Sequence, residues 1–404
     1  MEFLTDLTRF SNLVKLKIQS LLSLKGLCYG LSPSHPAIAS FTRLTVVTIE
    51  SCPKLKTIFS PCLAQSMLCI EELYISSCQE EEITKNDSHL CYCPKLRILD
   101  IYGCRSLKYV CANTSTQELQ SLESIAIRHC PQLMQIFKMK QNENRQGVVN
   151  HCWPKLKTFR IWGCQLFSCF IVQAPLLEYL FLCNVGIIWK IDVPILNEDC
   201  IVVGNHEKVF QVQGGYSFSR IKELNLWNLF EVRIIWNDFA QVVTIENLRT
   251  LVLKNCKKLR YIFSPTMARS LSHLTNITVT NCGNLKSLFP FGSIPVLPKL
   301  ECLKVKRNFK LEQVFGLEDE LEVVAEEEMK FDKLKKLSLK ELPSLIHFGP
   351  KGYHSVLSAL EDLKVRDCPK MTTSFSIDSH EFVHCETKVD VIFVGFRKWS
   401  EVIL

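Results

Sequence analysis

The sequence predicts an α/β repeat solenoid, and two observations carry the prediction. Residues Leu248 to Pro265 place apolar groups at offsets 0, 3, 5, 8, 11 and 14 (Leu248, Leu251, Leu253, Cys256, Leu259, Ile262). The same offsets recur at Leu44, Val47, Ile49, Cys52, Leu55 and Ile58, and Phe-Ser-Pro follows in both. Thirteen such starts occur along the chain, at residues 13, 44, 70, 96, 122, 156, 177, 221, 248, 274, 300, 334 and 360. Seven of the twelve intervals are 26 or 27 residues, so the unit is one coil of fixed length. The shared pattern, L-x-x-L-x-L-x-x-C-x-L, is that of the leucine-rich repeat: a short strand with alternate side chains inward, a turn, and a return segment. The expected architecture is a horseshoe of about 13 irregular repeats with a parallel β-sheet on its concave face.

Taken in order, the array opens near Phe10, with almost no polar cap before it; this is the pattern of a C-terminal piece of a larger protein. A large apolar residue stands three positions before most starts (Phe10, Phe41, Met67, Trp153, Phe218, Leu271, Phe331) and is expected to close each coil. The two Phe-Ser-Pro units are each followed by a helix-compatible run, 64–68 and 267–271. Three intervals are long, and their extra residues are expected to project as inserts near 138–151, 186–217 and 316–330. The last insert is acidic, with Glu318, Asp319, Glu320, Glu322, Glu326, Glu327 and Glu328, and could fold over a basic neighbour and compete with a partner. The solenoid is expected over 1–373, with 374–404 as a C-terminal capping segment whose apolar run 389–396 covers the last coil.

Composition narrows the class. Apolar residues are 47 % and charged residues 22 %, a globular balance that excludes wholesale disorder. The formal net charge of +7 is mildly basic and does not by itself point to nucleic acid. Of twenty cysteines, eight (52, 78, 104, 130, 164, 256, 282, 368) fall at offset 8, where a small apolar group turns inward. Stacked coils would bring their sulfurs within about 5 Å, so distance alone allows disulfides. The first ten residues lack the basic and apolar regions of a secretory signal, which favours a buried ladder of reduced thiols in a cytoplasmic or nucleocytoplasmic protein. Sequons at Asn86, Asn113 and Asn276 are then chance matches. The most apolar region, 170–196, is broken by Gln173, Pro175, Glu178, Lys190, Asp192 and Pro194, so no membrane span is expected.

The sharpest chemical motif is His380-Glu381-Phe382-Val383-His384. In zinc hydrolases an H-E-x-x-H works because a helix turns both imidazoles to one side. Here the flanks are β-branched and turn-rich, and Glu401 is the one carboxylate at a plausible separation for a third ligand, so the match reads as chance. Cys91 and Cys93 lack a second pair at finger spacing. No phosphate-binding glycine loop or nucleophile elbow occurs. The reading is a non-catalytic chain without cofactor or metal.

A surface is the better candidate. Strand offsets 2, 4 and 6 alternate with the buried positions and should face the concave side. Across the middle repeats they carry Tyr74, Tyr102, Trp162, Tyr179, Phe181 and Trp227; across the last five they carry Lys254, Lys304, Lys306, Lys336, Lys340, Lys364 and Arg366. Exposed aromatics beside a cationic zone suit protein recognition, since aromatics anchor interfaces and charge steers encounter. A recognition helix, finger or aromatic RNA-binding pattern is lacking, so nucleic acid is not the expected ligand.

The repeat ending Cys52-Pro-Lys-Leu-Lys-Thr-Ile-Phe-Ser-Pro61 is echoed at Cys256–Pro265 and at Cys130-Pro-Gln-Leu-Met-Gln-Ile-Phe137. With openings such as Cys93-Pro-Lys-Leu-Arg-Ile-Leu99 and Trp153-Pro-Lys-Leu-Lys-Thr-Phe159, it resembles the C-terminal leucine-rich-repeat region of plant coiled-coil nucleotide-binding disease-resistance proteins, over about 10–375. The resemblance implies an intracellular innate-immune sensor that binds a pathogen effector or a guarded host protein and restrains a nucleotide-binding switch in cis or trans. The switch's own motifs do not occur here, so nucleotide hydrolysis is not implied. The alternative is a substrate-recruiting adaptor of an F-box-type ubiquitin ligase, whose repeats are of similar length but continue differently after the cysteine.

Overall fold

The computed structural model describes residues 12–25, 41–55, 68–79, 93–111, 119–137, 151–167, 172–185, 220–235, 245–263, 271–290, 297–316, 329–349 and 354–387. The chain forms two compact units, Met1–His206 and Glu207–Leu404. The first unit contributes seven parallel strands: Lys15–Gln19, Val46–Glu50, Glu72–Ser76, Ile98–Tyr102, Ser124–Arg128, Thr158–Trp162 and Tyr179–Cys183. The second contributes six: Glu223–Trp227, Thr250–Lys254, Asn276–Thr280, Cys302–Lys306, Lys336–Lys340 and Asp362–Arg366. Thirteen coils and a parallel sheet make this a leucine-rich-repeat solenoid. Every strand begins two residues after a predicted start, so the sequence period and the structural period coincide.

Pairing is strictly in register. Leu251 sits opposite Ile277, Ile277 opposite Leu303, and Leu303 opposite Leu337. Residues at offsets 3 and 5 therefore stack into two inward rows, nearly all fully buried. Each buried leucine or isoleucine contributes about 1.5–3 kcal/mol by leaving water. Of the coil-closing residues, Phe41, Trp153, Leu271 and Phe331 are buried; Phe10, Met67 and Phe218 lie outside the described residues. The backbone turns sharply there, as where Leu44 N–H donates to the Phe41 carbonyl at 3.1 Å.

At offset 8 the cysteine ladder is present: Cys52, Cys78, Cys104, Cys130, Cys164, Cys256 and Cys282 are buried, and every cysteine whose side chain is described is a free thiol. Each S–H reaches the carbonyl two residues back, as Cys52 to Glu50 at 3.4 Å. Burial pushes the half-buried Cys368 thiol up to about 11, so it stays protonated at neutral pH. One rung differs. Asn308 occupies the cysteine position and is wholly buried. Its Oδ1 accepts from Cys282 N–H at 2.7 Å, and its Nδ2 donates to the Val279 and Lys306 carbonyls, each at 3.1 Å. A planar amide thus satisfies three backbone groups where a thiol satisfies fewer.

Offset 7 ends each strand by one rule. All thirteen residues there have φ between 51° and 69°, yet only Gly103 and Gly163 are glycines. The others include Ser51, His129, Asn255, Arg307 and Glu341. Left-handed backbone at this point aims the N–H at the next strand, as Asn255 N–H onto the Thr280 carbonyl at 2.9 Å.

Among the described residues the return segments are short strands and turns, with no helix. Their cores are aromatic in the second unit, where Phe263, Phe289 and Phe315 stack at 5.5 and 4.9 Å and Phe348 meets Phe315 edge-on at 5.4 Å. The helix-compatible runs and the bulk of all three inserts, the acidic one included, lie outside the described residues, as does 389–396. Past the last coil, Thr373–Ile377 and Val383–Thr387 form an antiparallel hairpin, and Val383–Thr387 also pairs with His354–Leu357.

Candidate recognition faces

Inward rows at offsets 3 and 5 leave offsets 2, 4 and 6 on the opposite side of each strand. In the first unit these rows read Tyr74, Asp100, Ala126, Arg160, Phe181 and, beside them, Ser76, Tyr102, Arg128, Trp162, Cys183. Tyr102, Trp162 and Tyr179 are 46 %, 43 % and 36 % exposed, high for aromatics, which the sheet holds outward because their strand neighbours fill the interior. Tyr74 is half-buried and donates its hydroxyl to Glu72 at 3.0 Å; burial is the first of the causes that raise its pKa, ahead of the bond to that carboxylate.

Three of the predicted aromatics are brought together through a residue the sequence reading missed. His129 lies between Tyr102, edge-on at 5.6 Å, and Trp162 at 5.2 Å, and Trp162 meets Phe181 at 6.3 Å. Arg128 clamps Asp100 through Nη2 at 2.7 and 2.8 Å and lies over the Tyr102 ring at 5.6 Å. The clamp and the stack fix both side chains before any ligand arrives. Ala126, between Asp100 and Arg160 in the register, lowers the floor of the row. His129 escaped prediction because offset 7 looks like a turn position, not a face position; its proximity to the offset-6 row is the signal that could have found it.

In the second unit Trp227 is half-buried under Lys254, whose Nζ sits 4.0 Å from the ring centre. The next strand, Asn276–Thr280, carries no charge, so Lys254 stands apart from the remaining cations. Those gather on three adjacent strands: Lys304 and Lys306, Lys336 and Lys340, and Lys364 and Arg366. Carboxylates answer some of them. Asp362 accepts from Lys364 at 2.6 Å, Glu341 from Arg307 at 2.6 Å with Lys306 at 3.3 Å, and Asp367 pairs with Arg366 at 3.2 Å. The bond from Lys364 leads the causes that hold the Asp362 carboxyl below its usual range, with smaller contributions from Lys336 and Lys340. Farther back, Asn281 donates to Asn255 at 2.8 Å and Asn255 to Asn228 at 2.6 Å, a surface amide ladder at offset 7.

The H-E-x-x-H residues are not on a helix. His380 and Glu381 sit in the hairpin turn, where Asp378 Oδ1 accepts from His380 N–H and Phe382 N–H at 2.8 and 2.9 Å. His384 lies on the following strand, with Nε2 2.7 Å from Asp378 and Nδ1 2.9 Å from His354 Nε2. The bond to His384, then those from the turn, hold the Asp378 carboxyl down to about 2. Both His384 nitrogens are thus engaged, and the motif's two imidazoles point to different neighbours. Among the described residues no three histidine, cysteine or acidic side chains are arranged to hold a metal ion, and no helix is long and apolar enough to cross a membrane.

A search of curated proteins finds no significant match to this chain. A family model described as "Plant disease resistance protein RPS2-like, leucine-rich repeats" matches residues 3–79, 80–159, 143–283 and 273–384. Those segments span the solenoid and both strand faces, and the fold they describe is a typical protein-interaction module. The chain therefore belongs to the leucine-rich repeats of RPS2-like plant disease-resistance proteins.

Proposed function

We propose that this chain is a non-catalytic recognition module of plant innate immunity, binding a pathogen effector or a guarded host protein through the outward faces of its strands. The observation that carries the reading is the cluster of exposed Tyr102, His129 and Trp162, with half-buried Phe181 against Trp162. Large aromatics turned to solvent cost the free protein burial they could have had, and such groups dominate interface energetics when a partner covers them. The clamp of Arg128 on Asp100 supports it, because a face already rigid loses little entropy on binding. The binding event is read out by a nucleotide-binding switch in cis or trans. A cytoplasmic or nucleocytoplasmic site of action fits the free thiols of the ladder.

The test is proximity labelling in leaf tissue with the wild-type chain and a Tyr102→Ala/Trp162→Ala variant whose thermal midpoint matches wild type. A labelled protein that the variant loses, and whose removal abolishes the defence response, supports the reading. Identical labelling by both chains overturns the assignment of this face.

A further inference from the structure

Resting on the recognition reading above, we infer that the strands Cys302–Lys306, Lys336–Lys340 and Asp362–Arg366 take an acidic protein segment, whose carboxylates meet Lys304, Lys336 and Lys340. The outward positions of the second unit hold seven cations (Lys254, Lys304, Lys306, Lys336, Lys340, Lys364, Arg366) against two carboxylates, Glu223 and Asp362. Asp362 is bonded to Lys364, and Glu341 and Asp367 at the strand ends are taken by Arg307, Lys306 and Arg366. Among the described residues Lys304, Lys336 and Lys340 close no ion pair; Asp362, opposite Lys336 in the register, feels Lys336 and Lys340 only at longer range, its bond being to Lys364. Lys340 is also flanked in register by Lys306 on one side and Arg366 on the other.

Folding does not call for this arrangement. Like charges directly opposite on neighbouring strands cost roughly 0.2–1 kcal/mol per pair. Half-buried Lys340 has only the weak, longer-range attraction of Asp362 in return among the described residues. A visiting carboxylate reverses the sign, turning repulsion in the free protein into attraction in the complex.

Spacing sets the shape of the ligand. Lys336 and Lys340 are four residues apart on one strand, about 13 Å at roughly 3.3 Å per residue. Lys304 lies one strand over, facing Ser338 midway between them. The three strand positions thus form a shallow triangle whose long edge matches three carboxylates spread along about 13 Å, as on alternate residues of an extended segment. Nucleic acid fits less well. Asp362, Glu341 and Asp367 stand among the same rows, so a duplex crossing all three strands would press phosphates onto carboxylates, whereas a short segment avoids them.

Isothermal titration of the full chain tests this, at about 50 mM salt, where the Debye length exceeds the spacing. The probes are a peptide alternating three Glu with Ser, its Gln counterpart, and duplex DNA of equal charge. The Glu peptide is expected to bind, with affinity reduced about tenfold by Lys304→Gln/Lys336→Gln/Lys340→Gln and unaltered by Lys257→Gln, a lysine off this face. Circular dichroism confirms that the triple variant remains folded. Equal binding of the Gln peptide, no loss in the triple variant, or tighter binding of DNA each overturns the inference. None of these outcomes touches the aromatic face, whose own test is the labelling lost by Tyr102→Ala/Trp162→Ala.

Discussion

The two units share one coil and differ in what they display. In the first, outward aromatics touch one another, and Arg128 is bonded to Asp100. In the second, aromatics move inside, as the stack of Phe263, Phe289 and Phe315, and the outward rows turn cationic. The inward rows at offsets 3 and 5 are filled alike by leucine, isoleucine and valine, apart from Phe159 in the first unit. The difference teaches that interior and face are independent variables here: period-two alternation separates them, so face chemistry changes without cost to the coil.

Four substitutions and one titration would break or sharpen that contrast. The largest effect belongs to Phe315→Ala, which opens a cavity in the second unit's aromatic stack and should cost about 3–5 kcal/mol, read as a lowered urea midpoint. Next is Asn308→Ala, which strands the buried Cys282 N–H and two carbonyls; a loss of about 2–3 kcal/mol is expected. Asn308→Cys installs the residue that the preceding coil carries as Cys282 and should recover part of that loss. If both variants are equally unstable, the rungs are not interchangeable. Trp162→Ala should leave the urea midpoint within about 1 kcal/mol of wild type while weakening partner binding by about 2 kcal/mol, the reverse of Phe315→Ala.

The smallest effect is a pH dependence confined to the terminal hairpin. Asp378 is held down to about 2 in the folded protein, chiefly by the bond to His384, and lies in the ordinary carboxylate range when unfolded. Its contribution is therefore present in full above about pH 4 and fades as pH falls towards about 2. Hydrogen exchange in 373–387 should rise across that window, and Asp378→Asn should remove the acid dependence. A wild-type hairpin indifferent to acid would show that Asp378 does not fasten it.

Much of this was legible beforehand because burial repeats. Offsets 0, 3, 5 and 11 announce themselves by periodic leucine, and with them came the strands, their register and which faces point outward. Asn308 was not legible: it is a polar residue on an otherwise cysteine and aliphatic rung row, and only the backbone groups around it reveal why an amide belongs there. Offset 7 was hidden for a different reason. Left-handed backbone normally advertises itself through glycine, but here the bond to the next strand enforces the geometry whatever the side chain. The hairpin at 373–387 gave no period at all. The cationic zone was readable as composition, but which lysines lack an answering carboxylate depends on rotamers that no spacing encodes.

The thirteen offset-7 residues of positive φ also set the terms on which this molecule can drift. None of them is β-branched or bulky and aliphatic, the types that tolerate such a backbone worst. Valine, isoleucine or threonine at any of these sites would force a choice between a strained residue and a broken link to the following coil. The smaller and more polar residues pass freely, so each coil has one slot where variation is filtered by shape, beside three where nothing but the ligand judges.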